Sequence, residues 1–507
     1  MNISKLVNLI WLKLMDLIEG SIFFTFINNA MELIGRMCKS SIFYTLLTNT
    51  TKDNFIKNNI IYKIFYMFFT FLNHLKIKVN PAFKDVKIGI YLEESVFLKF
   101  VGNIFDFNFK DIGFIELYML FVLFVSPFFP TMLLGGMLGL GLISYFLKII
   151  FTEEKSQLNF DITWLWIVIF VLITIFCGIT SFTPKTSIKI AMLTSLLMIS
   201  YFLVISIFNT KNKLKLMVFV FSLSAFLVGL IGFYQKLSGQ IDRTWTDTEL
   251  FEGLSLRVVS TFGNPNVYGE YLLLVIPIAA IMIYISKNIL AKSYYGLLTL
   301  LLLLNLGLTY SRGCYLALLG GLFVFILFKE KRLIVLFSFS IFFLPFILPE
   351  SMINRFLSIG DLSDSSTSYR IMIWQGTIRI LKDYWLSGLG QGQEAFNFVY
   401  PLYSFSGVSA PHSHNVFFQV FVETGIAGFL TFLALLLSFF KNTISFIVQS
   451  NKKSVNTFLL ALICGFTSFF IQGVFDYVFY NYSVFLIFFI YMGIVGASVN
   501  VHRKENA

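Results

Sequence analysis

From residue 111 onward the chain is a succession of apolar runs of roughly twenty residues, the length a helix needs to cross the hydrocarbon core of a bilayer. Twelve runs predict twelve transmembrane helices, over residues 112–130, 131–151, 162–182, 187–209, 214–234, 266–286, 293–310, 312–328, 333–349, 415–440, 455–476 and 483–501. Most connections between them are short. Two are longer and polar, at 235–265 and 350–413.

The first 110 residues follow another pattern. Lys, Asp and Asn break their apolar positions every few residues, as in 52–80, so they do not read as uninterrupted spans. They predict amphipathic helices on the cytoplasmic leaflet, with one or two extra spans near 8–30 or 58–75 as the alternative. The expected organisation is an N-terminal extension over 1–110 and a twelve-helix membrane domain over 111–507. Within the second long connection, Ile371, Trp374, Ile378, Leu381 and Trp385 recur at helical spacing. They predict one apolar face of a helix lying along the membrane surface, started by the Ser/Thr run 365–368 and closed by Gly388 and Gly390.

Composition narrows the class. The 507 residues are 57% hydrophobic and 13% charged, which excludes an ordinary soluble globule. Net charge is +11, yet a mean hydropathy of +0.80 leaves no broad polar face for a nucleic acid. Cys38, Cys177, Cys314 and Cys464 are scattered, with no disulfide framework and no CxxC. Lys5, Lys13, Asp16 and Glu19 inside the first apolar stretch argue against a removable signal peptide.

The basic residues set the orientation. With alternate connections taken as cytoplasmic, fifteen of them fall inside, among them Lys148, Lys211, Lys213, Lys452, Arg503 and Lys504, and thirteen more lie in the first 110 residues. The remaining ten fall outside, seven of them in the two long connections. Both termini and the short lysine-rich connections are therefore expected in the cytoplasm, and both long connections on the far side.

Four polar clusters gather on that far side. The first runs from Arg257 through Asn264-Pro265-Asn266 to Tyr268 and Glu270; it is a capped turn before a helix, or a site where Arg257 and the amides face a polar ligand. The second is Ser311-Arg312-Gly313, where Arg312 either snorkels to the interface or binds an anion. The third places Arg370 in the first turn of the surface helix, where the helix dipole disfavours a cation unless an anion is present. The fourth is His412-Ser413-His414-Asn415, followed by Gln419, Glu423, Gly425 and Gly428. A histidine here is a polar cap or a general base. No third ligand of metal spacing accompanies the pair, so no metal site is expected. Nine residues of helix turn Glu423 away from His414, which suggests packing rather than chemistry for that carboxyl. Discrete arginines on a lipid-embedded scaffold suit bidentate recognition of a lipid phosphate or diphosphate.

At these clusters the sequence resembles the O-antigen ligase and O-antigen polymerase superfamily of bacterial membrane glycosyltransferases. The resemblance spans roughly residues 215–495 and is carried by Thr261-Phe-Gly-Asn-Pro-Asn-Val-Tyr268, by Ser311-Arg-Gly313, by Tyr369-Arg370 through Trp374 to Gly388-Leu-Gly390, and by His414-Asn415 with Gly425 and Gly428. It implies an all-α polytopic, GT-C-like fold with a large extracytoplasmic loop, in the bacterial inner membrane. It implies a metal-independent, inverting transfer of a glycan from an undecaprenyl diphosphate donor to a glycan or lipid acceptor, in surface polysaccharide synthesis. Carried over by position, Arg257, Arg312 and Arg370 would hold the diphosphate and His414 would act on the acceptor hydroxyl, with Asn264, Asn266, Tyr268 and Asn415 lining the substrate. Within the family a polymerase is favoured over a ligase. A transporter, the reading from another class, would place polar residues at the midplane rather than outside.

Overall fold

A computed structural model describes residues 12–21, 53–75, 88–151, 159–239, 257–329, 365–405 and 407–505, with short stretches between 24 and 47 and between 332 and 342. Every regular element among them is a helix. In chain order these are α1 (Asp53–Asn58), α2 (Ile60–His74), α3 (Ile88–Glu94), α4 (Val96–Phe105), α5 (Phe114–Val125), α6 (Thr131–Phe151), α7 (Ile162–Ile179), α8 (Pro184–Ile207), α9 (Lys211–Ser238), α10 (Pro265–Ile285), α11 (Ile289–Leu308), α12 (Arg312–Lys329), α13 (Ser365–Tyr384), α14 (Gln393–Tyr403), α15 (Val416–Gln449), α16 (Lys453–Phe475) and α17 (Tyr482–Lys504).

Ten of these, α6 to α12 and α15 to α17, are long and apolar enough to cross a membrane, and the protein is an all-α polytopic membrane protein. Two of the twelve predicted runs fall outside this set. The run at 112–130 yields only the twelve residues of α5, about 18 Å of helix, because Pro127 and Pro130 stop it. The run at 333–349 lies largely outside the described residues.

Between apolar spans in lipid the hydrophobic effect does little, and close packing takes its place. Helix α12 meets α16 through Gly313, Gly320 and Gly321, where an added methyl would collide with Gln472, Ile471 and Ser468. Helix α17 is buried along almost its whole length, as its uniformly apolar sequence requires. Of the N-terminal helices, α2 packs Phe69 and Leu72 onto the bundle while Ile60, Met67 and Phe71 stay exposed.

The two ends of the bundle carry different chemistry. At one end Glu116 pairs with Lys213 at 2.7 Å and Lys148 at 3.4 Å, Glu505 bridges Lys211 and Lys452 at 2.7 Å each, and Arg503 donates to Asn442. These are basic residues assigned to the cytoplasm by the alternation of charges. The predicted far-side clusters collect at the opposite end, where asparagines cap three helices: Asn264 for α10, Asn415 for α15 and Asn481 for α17.

Helix α13 forms where its Ser/Thr start and apolar repeat predict, but its buried face differs. Ile373, Thr377 and Ile380 face the protein, whereas Ile378 and Trp385 are exposed. The helix carries two apolar strips, and the one nearer Gly376 packs on α14, because only there does the missing side chain admit Tyr400 and the Tyr403 carbonyl.

Candidate active site

The site is assembled from the ends of α10, α12, α15 and α16. His414 lies just before α15 with φ +47°, a left-handed backbone that costs a non-glycine residue about 1–3 kcal/mol. Ser260 (φ +49°) and Tyr310 (φ +51°) share this strained geometry, so a left-handed residue sits beside three of the four predicted clusters. The Gln235 side chain holds Ser260 in place, accepting from its N–H at 2.8 Å and donating to its carbonyl at 2.9 Å. His412 Nδ1 accepts from the His414 N–H at 3.2 Å, and Trp374 Nε1 donates to the His414 carbonyl at 3.4 Å.

His414 Nδ1 lies 2.9 Å from Asp476 Oδ1, at the C-terminal end of α16. Asn266 Nδ2 donates to the other carboxylate oxygen at 3.3 Å, and its carbonyl oxygen accepts from Arg257 at 2.9 Å. Arg257 Nε also donates to the Thr309 carbonyl at 2.8 Å. Four residues from three separate stretches of chain thus form one line, Arg257 to Asn266 to Asp476 to His414. With Nδ1 donating to the carboxylate, Nε2 of His414 carries the lone pair, the state a general base requires.

Burial alone would raise the Asp476 carboxyl. His414, Arg370 and His412 outweigh it and hold Asp476 well below the usual carboxylate range, so the buried group is an anion. His412 moves the other way: burial, then the neighbouring His414, push it down to about 3, and it is neutral at physiological pH.

The predicted residues divide by role. His414 and Asn266 are in the line itself, and Arg370 is close enough to bias both Asp476 and His412. Tyr369, its neighbour, packs its ring edge-on to His414 at 5.9 Å. Arg257 reaches Asp476 through Asn266. Arg312 opens α12, half-buried, beside Gly313, which packs on Gln472 one helical turn before Asp476. Asn264 and Asn415 are helix caps: Asn264 Oδ1 accepts from the N–H groups of Asn266 and Val267, and Asn415 Oδ1 from those of Phe417 and Phe418. Asn415 Nδ2 also ties α15 to the Val474 carbonyl. Tyr268 departs from its expected substrate contact. It is fully buried, packed between Phe262 and Tyr271, because the capped turn directs the second residue after Asn266 into the bundle.

Asp476 is the member of this cluster that the sequence reading missed. Its signal was a lone carboxylate at the far-side end of an otherwise uncharged span. It also corrects the expectation that the histidines lack a third ligand. Ligand atoms of His412, His414 and Asp476 lie within 4.8 Å of one another, a set able to hold a divalent ion, although here His414 and Asp476 are engaged with each other.

The glycine motif has a backbone explanation. At Gly425 (φ +61°) α15 is interrupted, and the segment after α13 docks into the break: Leu389 N–H donates to the Val422 carbonyl at 2.7 Å, Gly390 N–H to the Glu423 carbonyl at 3.1 Å, and Ile426 N–H to the Trp385 carbonyl at 2.8 Å. A methyl on Gly388 would lie 2.6 Å from the Gly425 nitrogen, and one on Gly425 would strike the Leu386 carbonyl. This joint anchors α13, and with it Arg370 and Trp374, beside His414.

No curated protein matches the chain. A family model described as O-antigen ligase matches residues 297–433, which include Arg312, Arg370, His414 and Gly425 but not Arg257, Asn266 or Asp476. Over that stretch the chain is similar to the O-antigen ligase family, which supports the resemblance to the O-antigen ligase and polymerase superfamily.

Proposed function

We propose that this protein is a glycosyltransferase of the bacterial inner membrane that moves a glycan from an undecaprenyl diphosphate donor to an acceptor hydroxyl on the extracytoplasmic face, building surface polysaccharide. The observation that supports it most is the His414–Asp476 pair at 2.9 Å beside Arg370. Asp476 orients the imidazole and stabilises the positive charge it acquires, His414 Nε2 takes the proton of the attacking hydroxyl, and Arg370 and Arg312 neutralise the departing diphosphate. Attack from the face opposite the leaving group inverts the anomeric centre. Charge neutralisation by arginines makes the reaction independent of a metal. A polymerase, extending a lipid-linked glycan, is the favoured form. The description of the matching family model favours a second reading, a ligase that attaches finished polymer to a lipid or protein acceptor.

The test is His414→Ala in the full chain, following conversion of lipid-linked glycan. Loss of product with the protein still present in the membrane supports the base role; undiminished product would sink it. Arg312→Lys keeps the charge and removes the bidentate fork, so a fall in activity supports phosphate recognition, and full activity would reduce Arg312 to an interfacial anchor.

A further inference from the structure

Helices α13 and α14 present apolar side chains on their outer surface. Trp385 and Leu386, just past the end of α13, and Phe398 and Leu402 of α14 are all exposed, Leu402 at 82%. The ring of Phe182 joins the two helices, lying edge-on to Tyr384 at 5.3 Å and stacked on Phe398 at 6.1 Å. A contiguous apolar patch of this kind marks an interaction surface.

Two membrane spans lead into the patch. On α7, Leu172, Phe176 and Ile179 are exposed at steps of four and three, the lipid-facing row of a spanning helix, and the exposed Phe182 extends it past the helix end. On α15, Leu430 and Leu437 are exposed, and the Trp385 carbonyl, accepting from the Ile426 N–H, lies one turn before Leu430. Helix lengths set the depth. Residues 426–449 of α15, beyond the break at Gly425, make about 36 Å of helix and cross a hydrocarbon core of about 30 Å by themselves. The 18 residues of α7 make about 27 Å and end at Ile179. Both lengths put Phe182 and Trp385 at the outer boundary of the hydrocarbon, the level at which tryptophan is favoured.

Cations stand beside the patch. Lys185, Lys189 and Met192 form an exposed row on α8 at steps of four and three, with the lysines at its outer end. On α13, Arg379 and Lys382 are exposed, and the Arg379 guanidinium lies 5.3 Å from the Phe405 ring. Two carboxylates lie among them, Asp383 and Glu394, and each already accepts from a hydroxyl, of Tyr403 and Thr186 respectively. Lysines at the outer end of a span oppose the usual charge distribution, so their place calls for an anionic partner at headgroup level.

We propose that this face of α13 and α14 is seated on the outer leaflet and binds anionic phospholipid. Trp385, Leu386, Phe398 and Leu402 lie among the acyl chains, and Lys185, Lys189, Arg379 and Lys382 meet the phosphates. The lipid-facing rows of α7 and α15 that lead into the patch favour lipid over a second copy of the chain as its cover. The contact holds the end of α13 remote from Arg370, and it stands apart from the glycosyl-transfer reading.

The test places a photoreactive benzoylphenylalanine at Leu402, Phe398 or Phe176, one position at a time, in the full chain. The protein is reconstituted in nanodiscs of equal phosphatidylcholine and phosphatidylglycerol, and mass spectrometry identifies the adducts. All three positions are expected to give phospholipid adducts, with phosphatidylglycerol favoured about threefold or more at Leu402. Combining Lys185→Gln, Lys189→Gln, Arg379→Gln and Lys382→Gln, all at exposed positions, keeps the lipid adducts and brings that ratio near one. Adducts from Leu402 and Phe398 to protein, whether the same chain or a second copy, overturn the proposal. So does the absence of any adduct there while Phe176 gives one. Equal use of the two lipids by the wild type, or a preference that survives the combined variant, overturns the part given to the cations.

Discussion

His414 and Asp476, 62 residues apart in the chain, meet at 2.9 Å where α15 begins and α16 ends. In the proposed mechanism this carboxylate orients the His414 imidazole so that Nε2 faces the acceptor hydroxyl as base. Asp476→Asn retains the shape but accepts no proton and allows the wrong imidazole tautomer. Activity on lipid-linked glycan is expected to fall by about 10²- to 10⁴-fold, by analogy with other carboxylate-oriented histidines. Normal turnover with normal membrane levels would refute the pairing as a functional one.

Asn266 transmits Arg257 to Asp476, so the two residues should act as a unit. Asn266→Ala and Arg257→Ala are each expected to lower kcat about tenfold or more, and the double variant to be little worse than either single one. A double-mutant cycle measures this directly. Full additivity, within about 0.5 kcal/mol, would show that the two side chains work independently and that Arg257 binds substrate on its own account.

How much of this was legible follows the range of each interaction. Span positions and the charge partition between the ends depend on neighbouring residues, and the structure reproduces them in α6 to α12; the turn before α10 is capped too, but by Asn264 where the sequence pointed to Asn266. The Asp476 partnership joins two different helices, and nothing local to either encodes it. Tyr268 shows the converse error: it belongs to the same short stretch as Asn266, yet one residue faces the site and the other the core. For α13, the predicted strip meets the protein only along one edge, at Trp374 and Leu381, because Gly376 admits Tyr400 and turns Ile373 and Ile380 inward.

The joint between α13 and α15 predicts a contrast among glycines. Gly425→Ala and Gly388→Ala place a methyl against backbone atoms at positive φ, so the docked segment must move and carry Arg370 from the site. Both variants are expected to lose most activity and to become sensitive to proteolysis within 385–391. Gly136→Ala and Gly296→Ala, whose added methyls meet nothing within 4 Å, should behave as wild type. Equal behaviour of the two pairs would contradict the docking of this segment.

His412 predicts a pH dependence of stability that is separable from catalysis. Its folded pKa is depressed to about 3 by burial and by the neighbouring His414 and Arg370, with Asp476 opposing them. An unfolded histidine binds a proton below about pH 6.5, and the native one does not until near 3. Between those values the unfolded state holds more protons, so stability falls as the pH falls through that window. Asp476 is depressed as well, but its contribution is present above the ordinary carboxylate value of about 4 and is lost only below it, outside the range in which His412 is followed. In His412→Asn the amide oxygen can still accept from the His414 N–H and cannot be protonated in this range. The thermal midpoint of the detergent-solubilised protein, followed from pH 7.5 to 4.5, should drop less steeply in the variant. The difference expected at pH 4.5 is on the order of 2–3 kcal/mol. Parallel curves would mean that His412 is not held neutral by its surroundings.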